Sequence, residues 1–289
     1  MRLPIPPATI AAYLSACAQL RPAPSFATLT RRLSAICKVH ELNGYAGVDN
    51  PGRHRDLWQL RHDLRRELAW PKQQTGPTTA AEIRRMVQAC PPQLFIGLRD
   101  RAMLLLGYVL LTASELVAMD VEDLQLVDQG LVVVVPRRRP DPGGSRFRVV
   151  AVPYLKQRET CPVRAWLAWQ EATGLHTGPA FRRVPPRARL DSPDVLALRA
   201  RIQAAPRLGA DRINRLLKRA AQRAGLPDWQ RYATQSQRRG AATELRRHGA
   251  SDFEIAQAGG WNLDQVRHFA EAARIPDIWH DPESGRLGL

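Results

Sequence analysis

The sequence predicts a mainly α-helical chain in two domains, with one small antiparallel β-sheet set into the second. Three observations carry that expectation. Apolar residues recur at helical spacing through most of the 289 residues. One region, LQLV, GLVVVVPRR and RFRVVAVP, changes to strand periodicity, is rich in valine and is broken by DQG and DPGG turns. A polar, aperiodic segment with Pro near each end, PKQQTGPT at 71–78, reads as a linker between residues 1–70 and 79–289.

The first domain is expected to hold three helices: PATIAAYLSACAQL, SFATLTRRLSAICKVHEL and HRDLWQLRHDLRREL. In the second of these, Leu29, Leu33, Ile36 and Cys37 share an inward face, which turns Arg31, Arg32 and Lys38 outward. The second domain opens with TTAAEIRRMVQAC, where Thr79 and Glu82 have the spacing of a capping box. RDRAMLLLGYVLL is apolar on nearly all sides and is expected to be buried; SELVAM follows, then the strands. Helices resume with CPVRAWLAWQEA, GADRINRLLKRAAQRAG, SQRRGAATELRRHGA and DFEIAQAG. Within the Pro/Arg-rich stretch 182–207, the part RRVPPRARLDSP is expected to be a loop, its charge serving solubility.

Composition narrows the partners. Lys plus Arg number 43 against 27 Asp plus Glu, a formal charge of +16, so a polyanion is the natural partner. A GC-rich coding bias accounts for arginine over lysine but not for the excess over acids. Cys17, Cys37, Cys90 and Cys161 are scattered, without CxxC or zinc spacing, so free thiols and no metal are expected. The longest apolar patch, LLLGYVLL, is far short of the ~20 residues of a membrane span, and the N-terminus carries no signal-type apolar run. The expected setting is the cytoplasm, in association with the nucleoid.

In SQRRGAATELRRHG, Arg238 lies on a helix whose Ala241, Ala242 and Leu245 face inward, an arrangement able to hold an arginine against a phosphate. Alone, Arg238 beside Arg239 reads equally well as surface charge. The order of segments is more specific. RDRAMLLLGY, SELVAMDVEDL, GLVVVVPRRRPDPGGSRFRVVAVP, CPVRAWLAW, GPAF, SQRRGAATELRRHGASDFEIAQAGGW and VRHF, taken together, resemble the phage-integrase family of tyrosine recombinases from about residue 79 to 275. The first domain resembles that family's core-binding domain without its first helix.

The resemblance implies a tyrosine-recombinase catalytic-domain fold that closes around double-stranded DNA. In the family, cationic residues hold the scissile phosphate while a tyrosine attacks it, with no metal or other cofactor. Carried over by position, the pocket of this chain is depleted. Thr112 stands where the first arginine belongs, Gln235 where the histidine of the HxxR segment belongs, and Arg139 near the hairpin lysine. Arg238 and Trp261 match the family. Phe269 stands at the tyrosine position, one residue closer to Trp261 than expected, and its phenyl ring has no oxygen with which to form an ester. The adjacent His268 is chemically able to attack phosphorus but points about 100° away around a helix.

The expected function is therefore specific duplex binding without cleavage, as a regulator of transcription or replication or as an architectural accessory of a mobile element. The alternatives are a non-cleaving subunit of an active recombinase and an unconventional cleaving enzyme. DNA contacts are expected from Arg31, Arg32 and Lys38 in the first domain. In the second they are expected from Arg137, Arg139, Arg238, Arg239, Trp261, Arg267 and His268. A homo-oligomer on DNA or an active recombinase partner is compatible with this reading.

Overall fold

The computed structural model describes residues 3–68, 76–136, 147–261 and 266. The chain forms two compact units, Met1–Gln74 and Thr75–Leu289.

The first unit packs three helices, α1 (Pro7–Ala18), α2 (Phe26–Leu42) and α3 (Arg55–Glu67). Their inward faces supply a small core: Ile10, Leu14 and Cys17 from α1, Leu29 and Leu33 from α2, Leu57 and Leu64 from α3. Ile36 and Cys37 pack against its edge. Ser25 begins α2 by accepting a hydrogen bond from the Thr28 amide at 3.2 Å. The only histidine buried in this unit's described residues, His40, is fixed by two bonds: its Nε2 accepts from the Ile5 amide at 3.0 Å, so its Nδ1 carries the proton donated to the Ile36 carbonyl at 2.8 Å.

The second unit is built around α5 (Phe95–Tyr108), which buries residues on all its sides and exposes none fully, as its all-round apolar sequence requires. Before it comes α4 (Ala80–Gln88), opened by the expected box: the Glu82 amide donates to Thr79 Oγ1 at 3.2 Å and the Thr79 amide to Glu82 Oε2 at 2.7 Å. After it come α6 (Ala113–Ala118) and an antiparallel meander of β1 (Leu124–Val127), β2 (Gly130–Pro136) and β3 (Phe147–Pro153), in that spatial order. Alternation fixes the register: Leu131 faces Val152, Val133 faces Val150 and Val135 faces Arg148, all on the inner side of the sheet.

The chain continues with α7 (Pro162–Thr173), α8 (Val195–Gln203), α9 (Asp211–Arg223), α10 (Thr234–Arg247) and α11 (Asp252–Gly259). Trp166 and Trp169 of α7 lie fully buried, Trp166 edge-on to Phe181 at 5.7 Å. RRVPPRARLDSP, residues 182–193, is the expected loop, and α8 follows it, burying Ile202 and joining the Pro/Arg-rich stretch to the core. Its charge is also more than solubilising. Arg182 donates to the Gln203 and Ala205 carbonyls at 2.7 and 3.1 Å, and Arg207 to the Val117, Ala118 and Met119 carbonyls at 2.7 to 3.0 Å, tying the loop ends to neighbouring helices.

One close approach positions α10. At Gly240 a Cβ would lie 1.7 Å from the Thr78 carbonyl oxygen, so the segment entering α4 passes against bare helix backbone. Gly240→Ala is expected to lower unfolding free energy by about 2 kcal/mol in a denaturant titration, although alanine is the better helix former. A loss near zero would show that the two segments do not touch.

Candidate functional site

The site gathers where α10, β3, the cap of α6 and the end of α11 meet. Arg238, in the second turn of α10, is 6% exposed. Its Nε donates to the Leu110 carbonyl at 3.0 Å and its Nη2 to the Gly259 carbonyl at 2.5 Å, while its guanidinium carbon lies 4.3 Å from the centre of the Trp261 ring. Leu110 can offer that carbonyl because the chain turns there with φ of 69°, directly after α5. Trp261 is brought beneath the guanidinium because Gly260, at φ of 61°, ends α11 in the left-handed conformation.

A second guanidinium enters from the sheet. Arg148 occupies an inner-face position of β3 and is also 6% exposed. Its Nε and Nη2 meet Glu115 Oε1 and Oε2 at 3.4 and 3.1 Å, and its Nη1 donates to the Ala258 carbonyl at 2.5 Å. Arg148 and Arg238 thus bond to consecutive carbonyls at the end of α11. Gly260 makes room for the first of them, since a Cβ there would stand 3.1 Å from Arg148 Nε.

Glu115 links this pair to the position of interest on α6. Thr112 is the N-cap of α6: its Oγ1 accepts from the Glu115 amide at 3.2 Å, and its own amide donates to Glu115 Oε2 at 2.7 Å. The hydroxyl oxygen serves the cap as an acceptor. Burial depresses the Arg238 pKa to about 10; Glu115 works against that shift and Arg148 adds to it. The guanidinium remains charged at neutral pH.

The other expected positions separate. Gln235, in the first turn of α10, is exposed, and Arg239 is half-buried, with burial depressing its pKa. In the first unit Arg31 is exposed, Arg32 is half-buried with Nη1 2.9 Å from Cys17 Sγ, and Lys38 pairs with Glu41 at 3.4 Å. Arg137, Arg139, Arg267, His268 and Phe269 lie outside the described residues. Sequence reasoning missed Arg148 and Glu115. The signals for them were available: Arg148 falls in step with Val150 and Val152 on β3, and Glu115 follows Thr112 at capping-box spacing.

Burial disfavours the phenolate of two tyrosines in the second unit, Tyr108 and Tyr232. The Tyr108 hydroxyl is buried without a hydrogen-bond partner, and burial raises its pKa. Tyr232 donates to Glu82 Oε1 at 2.7 Å; burial and that bond raise its pKa. Tyr154 lies 5.0 Å from the Arg164 guanidinium. Among the described residues no cluster of three His, Cys, Asp or Glu side chains is placed to hold a metal, and no helix is long and apolar enough to cross a membrane.

No family model matches the chain. It is 29% identical over 270 residues to the integrase/recombinase xerD homolog of Selenomonas ruminantium, covering 93% of this chain and 72% of that protein. Among solved structures, the Tn1549 transposon integrase in complex with transposon right-end DNA superposes with a TM-score of 0.56 at 14% identity, covering 96% of this chain and 85% of the other. The XerH site-specific recombinase bound to its palindromic difH substrate gives 0.55 at 14% identity, covering 96% and 73%. The XerA recombinase gives 0.50 at 16% identity, covering 96% and 84%. The mostly helical chain with its three-stranded antiparallel sheet has the tyrosine-recombinase catalytic-domain fold expected from the segment order.

Because Thr112 acts as a cap, Thr112→Ala is expected to cost about 1 kcal/mol of stability in chemical denaturation. Thr112→Ser, which keeps the acceptor oxygen, should stay close to wild type. Equal losses in both variants would contradict the capping role.

Proposed function

We propose that this chain belongs to the tyrosine recombinases and binds specific double-stranded DNA without cleaving it, as a regulator or architectural accessory. The observation that carries the reading is the contrast between two positions. Arg238 keeps a charged guanidinium fixed by two carbonyls and an indole ring, while Thr112, at the place of the family's first arginine, spends its hydroxyl on a helix cap.

The chemistry follows from what each group can do. A guanidinium held in one orientation neutralises a phosphate oxygen and gives affinity through counterion release whether or not the strand is cut. Cleavage needs more. The missing first guanidinium removes a stabiliser of the developing charge, a loss on the order of 10²–10³ in rate. Glutamine at 235 bonds to phosphate but moves no proton near neutral pH. Phenylalanine at 269 supplies no nucleophilic oxygen. The similarity to an integrase/recombinase over nearly the whole chain, and the likeness to recombinases solved with DNA, support duplex DNA as the partner. So does the formal charge of +16.

The test is duplex binding as a function of salt, using DNA recovered from genome-wide identification of bound sites. Wild type is expected to bind its site with a steep salt dependence. Arg238→Ala should weaken binding across all sequences and lower the slope of log K against log salt by about one. A folded Arg238→Ala protein with unchanged affinity and slope would remove Arg238 from the interface and the reading with it.

A further inference from the structure

Two guanidinia and one carboxylate share the site: Arg148 and Arg238 bond to the consecutive carbonyls of Ala258 and Gly259, and Glu115 pairs with Arg148. Glu115 pairs with Arg148 through both oxygens and also supports the charge of Arg238. Arg238 itself bonds to carbonyl oxygens, which are neutral acceptors. The arrangement therefore keeps one positive charge in excess, and that excess sits on Arg238.

We propose that Arg148 is a positioning residue for Arg238: by holding Glu115 in a two-pronged pair it keeps that carboxylate off Arg238 and leaves the Arg238 charge for a phosphate oxyanion. This deepens the phosphate-binding reading of Arg238 given above and rests on it. Three observations support the assignment. Arg148 lies in a row whose other members, Val150 and Val152, are core residues, so a cation there displaces an apolar side chain and demands a partner. The room for it is built: Gly260 lacks the Cβ that would press on its Nε and Cδ, and Ala258 turns a carbonyl to its Nη1. Finally, Thr112 contributes no charge, so in the described structure the ion pair of Glu115 is the one with Arg148.

The consequence of removing Arg148 follows from elementary electrostatics. A carboxylate left in a partly dry site without its cation turns to the nearest remaining one, because burial of a lone charge is costly and attraction is strong at low effective dielectric. The guanidinium beside Arg148 is Arg238, which bonds to the carbonyl next to the one Arg148 holds. Pairing would cancel its charge and withdraw it from phosphate, so Arg148 governs binding through the fate of Glu115.

The experiment is a double-mutant cycle on the full chain with Arg148→Gln, Glu115→Gln and the double variant, reading duplex affinity, its salt slope and thermal unfolding. Arg148→Gln is expected to weaken duplex binding about tenfold and to flatten the slope by about one. Glu115→Gln should bind as wild type or more tightly, and the double variant should return to within about threefold of wild type. A merely structural ion pair gives the opposite pattern: Glu115→Gln would weaken binding, or the folded double variant would stay as weak as Arg148→Gln. Either result overturns the proposal. Should Arg148→Gln fail to fold, Arg148→Lys takes its place and is expected to keep the wild-type salt slope; a slope reduced by about one would overturn the proposal.

Inorganic phosphate, read as a rise in Tm on the same variants, distinguishes the two levels of the reading. A wild type indifferent to duplex DNA but stabilised by phosphate in the order given above overturns DNA binding and upholds the role of Arg148. A wild type that binds DNA through Arg238 while the cycle shows no rescue overturns the role of Arg148 alone. No response to either ligand overturns both.

Discussion

The carbonyl end of α11 holds the site together. A helix leaves its last carbonyls without intrahelical donors, and here two of them, at Ala258 and Gly259, accept from guanidinia that come from different parts of the chain. Gly260 then turns the backbone through the left-handed region, which places Trp261 against Arg238 and leaves space for Arg148. Three consecutive residues thus have separate duties, and each depends on the helix ending where it does. The negative end of the helix dipole also favours cations at this point.

This geometry trades stability for fixed orientation. Two buried guanidinia against one carboxylate form a weaker stabilising device than apolar residues of the same volume would. What the arrangement supplies is preorganisation. Arg238 is held before any ligand arrives, so a phosphate that meets it does not have to immobilise a long, rotamer-rich side chain. The same immobility would serve a cleaving enzyme. On the proposed reading, the difference between gripping and cutting lies in Thr112, Gln235 and Phe269, which supply no guanidinium, no imidazole and no phenolic oxygen.

Much of the fold was legible from local pattern, because local pattern is what makes it. The helices of the first unit follow from apolar spacing, α4 from its capping box, and the meander from alternation broken at DQG and DPGG. α8 was not read as a helix because it is short, nine residues flanked by Pro193 and Pro206, and of its apolar residues only Ile202 is buried in the core. At the site, Arg238 was identifiable by its place in the segment order, but its burial was not. Its acceptors are 128 and 21 residues away in sequence, and no local periodicity records such partners. Arg148 was overlooked although the strand period already placed it in step with buried valines. The positions that depart from the family pattern were visible only through resemblance, since Thr112 as a helix cap is ordinary on local grounds.

On the proposed reading the chain grips a phosphate it has no means of breaking. The direct measurement is covalent trapping: incubation of the purified protein with its bound site carrying a nick that makes strand cleavage irreversible, followed by denaturing electrophoresis and peptide mapping. The expected result is full occupancy of the duplex under native conditions and no adduct after denaturation. A protein–DNA bond that survives denaturation and maps to any side chain of this chain would contradict it.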